Sequence, residues 1–105
     1  MHYHAHIYWS TPEDRSQAES IRNILFEISA VGRMHDVPIG PHPRAMFQAI
    51  YSSENKEHVE GILNTMRGNL SILLHEAIND DLRDHTEGAR WLGTPLELKL
   101  DFFKE

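Results

Sequence analysis

The segment HYHAHIYWSTP, residues 2–12, predicts the first two elements of the fold. Odd-numbered and even-numbered residues differ in character along it, and this period-two alternation is typical of a strand with one buried face. The apolar set is Ala5, Ile7 and Trp9, and the other set is His2, His4, His6 and Tyr8. Thr11 can cap a helix that begins at Pro12, because proline suits the first helical turn. Apolar residues at helical spacing extend this helix to about Ala30, with Gly32 beyond its end.

The rest of the chain repeats this order of elements. Prolines on both sides of His42 make a stiff turn, which we expect to join two strands. A second helix should follow a Ser53 cap and end at Gly68, and residues 79–93 should be irregular. The further strands are predicted at 33–41, 45–51, 70–75 and 96–102. The order β-α-β-β-α-β with an extra C-terminal strand predicts a single α+β domain, residues 1–105, with a ferredoxin-like fold and an antiparallel sheet.

Composition excludes several classes of function. The 105 residues include eight histidines and no cysteine, which excludes disulfides and thiolate metal sites. Acidic residues outnumber basic ones 16 to 10, so a nucleic-acid partner is not expected. The chain has no apolar run of about 18 residues that would cross a membrane. Its first residues lack the pattern of a secretory signal, and we expect a cytoplasmic protein.

The histidines are informative through their placement. If Ala5, Ile7 and Trp9 lie under the helices, His4 and His6 lie on the opposite face of the sheet. Leu73 and His75 should share that face, and the first strand is central in this topology. We therefore expect His6, His75 and a histidine beside the hairpin to converge on the open face of the sheet. The alternative for each histidine is a purely structural role on the surface, in a turn or loop, or in the core. No local metal motif such as His-Glu-x-x-His is present.

Four segments, taken together, resemble the DOPA 4,5-dioxygenase family. They are Ala5-His6-Ile7-Tyr8, Val37-Pro38-Ile39-Gly40-Pro41-His42-Pro43, Asn69-Leu70-Ser71-Ile72-Leu73-Leu74-His75, and the stretch from Asp80-Asp81-Leu82-Arg83-Asp84-His85-Thr86 to Ala89-Arg90-Trp91-Leu92-Gly93. The resemblance implies a ferredoxin-like fold and extradiol ring cleavage of a catechol with non-haem Fe(II) and O2. Another divalent ion such as zinc also suits a site of imidazole and carboxylate.

The resemblance also implies roles for individual residues. His6, His42 and His75 are the expected metal ligands, His85 is expected to act as acid/base or a further ligand, and His4 is a further catalytic candidate. Arg44 is a candidate for binding an anionic substrate group, since a guanidinium pairs well with a carboxylate; its alternative is an exposed strand-end arginine. A carboxylate ligand, if there is one, is Glu76 or Asp84.

One departure from the family pattern follows His75. Where the family is expected to have His-Pro-x-Thr-Gly-Asp, this chain has His75-Glu76-Ala77-Ile78-Asn79-Asp80, and loss of the proline and glycine should loosen the turn.

Three functions stay open at this point. The first is the iron-dependent catechol dioxygenase. The second is a non-redox metal-binding or small-aromatic-binding module. The third is a cofactor-free dimer that acts on a small aromatic with histidine as base. An open sheet face on a small domain also leads us to expect a homodimer.

Overall fold

The computed structural model describes residues 2–77 and 88–99. Its elements in chain order are β1 (His2–Trp9), α1 (Pro12–Leu25), β2 (Ala30–Val31), β3 (Ala45–Ser52), α2 (Lys56–Met66), β4 (Ile72–Glu76) and β5 (Ala89–Leu92). All strand pairs are antiparallel, and the sheet has the order β2-β3-β1-β4-β5. The predicted α+β, ferredoxin-like fold is confirmed, with β1 at the centre and one strand added beside β4.

The two faces of β1 have the environments that their alternation predicts. Ala5, Ile7 and Trp9 lie in the main core, which both helices cover. The helices contribute apolar side chains at helical spacing to this core, namely Ala18, Ile21 and Leu25 from α1 and Val59 and Leu63 from α2. The even-numbered residues of β1 therefore point to the face of the sheet that the helices leave uncovered.

Helix α1 begins as predicted but ends earlier. The Thr11 side chain accepts a hydrogen bond from the Asp14 backbone, and Pro12 opens the helix. The predicted end at Ala30 is wrong because the backbone N–H groups of Ile28 and Ser29 both turn back to the Leu25 carbonyl. This tight turn leads directly into β2. In the described part of the chain, no helix is long and apolar enough to cross a membrane.

The predicted strand over 33–41 is also wrong. Between residues 30 and 41, backbone pairing with β3 consists of β2, a hydrogen bond from the Gly32 N–H to the Gln48 carbonyl, and an isolated bridge between His35 and Met46. Beyond that bridge Pro38 and Pro41 lack the N–H donors that a ladder needs. Gly40 has a φ of 53°, which turns the backbone out of the strand conformation.

The extra strand is present, but it is not the predicted one. It is β5, which lies inside the segment 79–93 that was expected to be irregular. Residues 95–99 form no strand, so the prediction over 96–102 is wrong for its described part; residues 100–102 lie outside the described residues. Gly93, with a φ of 79°, ends β5, and Leu96 and Leu98 then pack beneath the helix-free face.

A charged cluster ties α2 to the strands. Glu60 accepts hydrogen bonds from the Tyr51 hydroxyl at 2.7 Å, from Arg90 at 2.9 Å and from Lys56 at 3.1 Å. Burial alone would raise the pKa of Glu60, but these hydrogen bonds outweigh it and hold the pKa below its usual value of 4.5. Because the folded-state pKa is lowered, the unfolded chain binds the proton more readily. The stabilisation is therefore complete above pH 4.5 and is lost as the pH falls through the folded-state value.

Glu60→Gln is expected to lower the free energy of unfolding by about 1 kcal/mol near neutral pH, a value reduced for the exposure of its partners. The difference from the wild type should shrink as the pH falls below 4.5. Urea unfolding at several pH values measures it. Glu57→Gln, on the exposed side of the same helix, is the matched control and should change stability by less than about 0.5 kcal/mol. A Glu60→Gln effect that does not vary with pH would contradict this account.

Candidate metal centre

The helix-free face of the sheet has its own small apolar cluster, and the histidines lie beside it. Tyr8, Met46 and Leu73 are the buried members of this cluster. The residues that pack against it come from β5 and the segment after it: Ala89, Trp91, Leu96 and Leu98. The backbone N–H of Lys99 donates to the Pro41 carbonyl at 2.7 Å, so this segment also contacts the turn that carries His42.

His6 and His75 meet across the pairing of β1 with β4. Their Nε2 atoms are 3.0 Å apart, and both side chains are only 3% exposed. The two residues are not directly opposite each other, since His4 pairs with His75 and His6 with Leu73. Diagonal neighbours on one face of a sheet are within reach of ring side chains. The Nδ1 atom of His75 lies 3.2 Å from the Glu76 carbonyl oxygen, which orients that ring.

His4 completes a group of three imidazoles. One nitrogen from each of His4, His6 and His75 lies within 4.8 Å of the other two. His4 is half-buried, and its ring centroid is 5.0 Å from that of His75. Within residues 2–77 and 88–99 this group includes no carboxylate. Glu76 follows His75 on β4, so its side chain is directed to the other face, and Asp84 lies outside the described residues.

The donor set fits a metal ion of the transition series. Two nitrogens that each lie about 2.1 Å from one ion are about 3 Å apart when the N–metal–N angle is about 90°. The observed separation of the His6 and His75 nitrogens is 3.0 Å. The same distance also suits a hydrogen bond between one protonated and one unprotonated ring nitrogen. Imidazole nitrogens bind zinc, copper, iron and nickel, so the site can hold a metal without specifying which.

His42 lies against this group without being one of its three members. Its backbone N–H closes a turn on the Ile39 carbonyl, and its side chain is 6% exposed. The His42 and His6 ring centroids are 4.5 Å apart. The Nδ1 atom of His42 is 2.7 Å from the Tyr8 hydroxyl oxygen, and burial raises the pKa of that hydroxyl. The structure therefore places His6, His42 and His75 close together and adds His4 at ligand spacing. That His6, His42 and His75 bind a metal stays a prediction.

The other two predicted site residues have different outcomes. Arg44 is exposed and lines an open cleft of about 400 Å³ with Trp9, Arg15 and Asp36. No histidine lines this cleft among the described residues, so substrate binding by Arg44 stays a prediction. His85 lies outside the described residues, and its acid/base or ligand role also stays a prediction.

Tyr8 is a site residue that was not predicted from the sequence. It lies on the same strand face as His4 and His6, and it is 1% exposed. Its ring stacks on that of Trp91 with centroids 5.9 Å apart. The period-two alternation of β1 is sufficient to predict the face of the sheet to which the Tyr8 side chain points. Its contact with His42, however, spans 34 positions of sequence and could not be inferred from β1 alone.

Comparison with known proteins identifies the family. The sequence profile of the Dopa 4,5-dioxygenase family matches residues 3–102. The chain belongs to this family. The structure of the chain superposes on the crystal structure of a "putative dioxygenase" from Nostoc punctiforme PCC 73102, with a TM-score of 0.91 and 33% sequence identity. That match covers 98% of this chain and 90% of the other.

Two fungal relatives of this Dopa 4,5-dioxygenase family member are longer proteins. One is the DOPA 4,5-dioxygenase of Amanita muscaria, 28% identical over 94% of this chain and 47% of its own length. The other is an uncharacterised 21.2 kDa protein of Botryotinia fuckeliana, 32% identical over 97% of this chain and 63% of its own length. The chain thus spans about half to two-thirds of these relatives. The functional proposal below therefore rests on two findings, membership of the Dopa 4,5-dioxygenase family and a cluster of three histidines that could hold a metal ion.

Proposed function

We propose that this protein is an extradiol dioxygenase that cleaves the aromatic ring of a catechol with non-haem Fe(II) and O2. The observation that carries the proposal is the group of three imidazoles within 4.8 Å on one face of the sheet, in a chain of the Dopa 4,5-dioxygenase family. Imidazole is a suitable ligand for Fe(II). A homodimer and a cytoplasmic location remain part of the proposal.

In this proposal His4, His6 and His75 hold the ion. If Fe(II) is bound, it would supply a centre to which both oxygens of a catechol can bind and through which the catechol can pass electrons to O2. The residues of the chain have other tasks. His6 and His75 are buried, which limits the access of water to the ion. Trp91 is only half-buried, and the exposed part of its ring is an apolar surface near the site on which an aromatic ring can rest.

The proposal predicts ring cleavage by the iron-loaded protein. After anaerobic loading with Fe(II), addition of a catechol and then O2 should give a yellow ring-opened product. One O2 should be consumed for each catechol, and both oxygen atoms should appear in the product by mass spectrometry with labelled O2. DOPA, catechol and catechols with other side chains form the panel. The zinc-loaded protein is the control and should be inactive. Absence of turnover across the panel, with iron shown to be bound, would contradict the proposal.

A non-redox zinc module is the second candidate. It is favoured by one observation, that the described group consists of imidazoles alone, because three histidines also form zinc sites. Elemental analysis and native mass spectrometry of the protein as purified distinguish the two. Tightly bound zinc that does not exchange with Fe(II) supports the zinc module. Activity on a small aromatic that survives removal of metal by a chelator supports instead the cofactor-free dimer.

A further inference from the structure

The Tyr8–His42 pair lies beside the three-histidine group and has no role in it so far. Tyr8 is 1% exposed and His42 is 6% exposed. The Tyr8 ring is fixed between strands by packing on Met46 and Leu73 and by stacking on Trp91. Its hydroxyl therefore has a defined position, 2.7 Å from Nδ1 of His42. This contact joins the central strand to a loop that has few backbone hydrogen bonds of its own.

The contact constrains the chemistry of the His42 ring. A neutral imidazole carries hydrogen on one nitrogen and accepts with the other. If the Tyr8 hydroxyl donates to Nδ1, the hydrogen of the ring is on Nε2, and Nε2 cannot bind a metal ion. If Nδ1–H instead donates to the hydroxyl oxygen, Nε2 carries a lone pair and can be a ligand. A separation of 2.7 Å is shorter than usual for an N–H donor and is typical of an O–H donor.

A second observation agrees with donation from the Tyr8 hydroxyl to Nδ1 of His42. The ligand-spaced group contains His4, His6 and His75 and does not include His42, although the His42 and His6 rings lie 4.5 Å apart. His42 is thus next to the proposed metal without sharing the spacing of its ligands. A ring nitrogen that carries hydrogen at this place can donate a hydrogen bond to an oxygen of a bound molecule.

We propose that Tyr8 is a positioning residue for His42. The Tyr8 hydroxyl donates to Nδ1, keeps hydrogen on Nε2 and holds the ring beside the three-histidine group, so that His42 donates a hydrogen bond to a catechol oxygen and is not a metal ligand. The inference rests on the proposed function for the identity of that molecule. The assignment of the ring hydrogen is a property of the protein before any substrate is bound.

The first test observes the ring directly. Histidine ¹⁵N spectra of the wild-type protein, metal-free and loaded with Zn(II), report which nitrogen of each ring carries hydrogen. His42 is assigned by its loss in His42→Gln. We expect the Nε2–H form of His42 in both states. A His42 Nε2 that loses its hydrogen when zinc binds would overturn the inference and assign His42 as a ligand, whatever the outcome of the catechol assay.

The second test uses Tyr8→Phe, which removes only the hydroxyl. Partners that orient a metal ligand change metal affinity by about 10- to 100-fold when they are removed. We expect Zn(II) affinity to change by less than about threefold, because His42 is not a ligand. Binding of 4-nitrocatechol to the Fe(II)-loaded protein, measured without O2, should weaken by about tenfold. A large fall in Zn(II) affinity, or no change in 4-nitrocatechol binding, would overturn the proposal.

Two controls separate positioning from general damage. Tyr51→Phe also removes a buried hydroxyl that is hydrogen-bonded, to Glu60, but on the helix side of the sheet. It should leave 4-nitrocatechol binding unchanged. If Tyr8 acts through His42, the double variant Tyr8→Phe with His42→Gln should bind the probe no more weakly than His42→Gln alone. Additive losses in the double variant would show that Tyr8 acts independently and would overturn the positioning role.

Discussion

Replacing His6 with alanine is expected to abolish stoichiometric metal binding and the proposed catechol cleavage. His6 is on the central strand, and its Nε2 lies 3.0 Å from that of His75. Its ring also contacts that of His42. Removal of a residue that merely orients a ligand costs about 10- to 100-fold in metal affinity. Removal of His6 itself should therefore cost at least about 100-fold.

Metal titration by calorimetry and the metal content of the dialysed protein measure this effect. A thermal melt gives an independent check, because a metal that binds only the folded state raises the melting temperature. The wild type should show that rise with Zn(II), and His6→Ala should not. His58→Ala is the matched control, since His58 is exposed on α2. A His6→Ala protein that retains one tightly bound ion per chain would contradict the assignment of the three-histidine site.

Gly93→Ala is expected to destabilise the fold more than an average substitution. Gly93 has a φ of 79°, where an L side chain is strained. A Cβ at this position would lie 2.8 Å from the Leu70 carbonyl oxygen and 2.9 Å from a guanidinium nitrogen of Arg67. The arginine can move, but the carbonyl belongs to the backbone that leads into β4. Strain and contact together should lower the free energy of unfolding by about 3 kcal/mol.

Urea unfolding measures this cost, and Gly61→Ala is its control. Gly61 is within α2, and a Cβ there meets nothing within 4 Å. Alanine is the better helix former, so Gly61→Ala should stabilise the protein by about 0.5–1 kcal/mol. Leu96 and Leu98 follow the Gly93 turn and pack on the apolar cluster beside the three histidines, so Gly93→Ala should weaken metal binding as well. Equal stability of Gly93→Ala and the wild type would refute the account of this turn.

Local patterns predicted the elements that have a strong periodicity or a cap. The alternation in residues 2–9 gave both the strand and the face that carries His4 and His6, because successive side chains of a strand point to opposite faces. Thr11 and Pro12 located the start of α1 through hydrogen bonding and dihedral preference. The family was also recognisable from short segments, and its sequence profile confirms it.

The failures occurred where pairing partners outweigh local preference. The alternation over 96–102 predicted a strand, yet β5 at Ala89–Leu92 pairs with β4, and Leu96 and Leu98 pack on the helix-free face of the sheet. The end of α1 depends on the turn at Leu25, and the loop before His42 depends on its prolines. The spacing of apolar residues gives no information about either feature. An apolar residue is buried equally well by a strand or by a coil that packs on a sheet.

For the site, residue type and strand face followed from the sequence, since both are local properties of covalent geometry. The distances are not local. His6 and His75 are 69 positions apart, and their 3.0 Å separation depends on the register between β1 and β4. A shift of that register by one residue would turn His75 to the opposite face. His4 is at ligand spacing because it pairs directly with His75 in the same register. The contact of His42 with Tyr8 depends on the pairing of β1 with β3 and on the turn that the Ile39 carbonyl closes. Hydrogen bonds between distant strands and packing across the sheet fix which imidazoles meet, and no single segment contains that information.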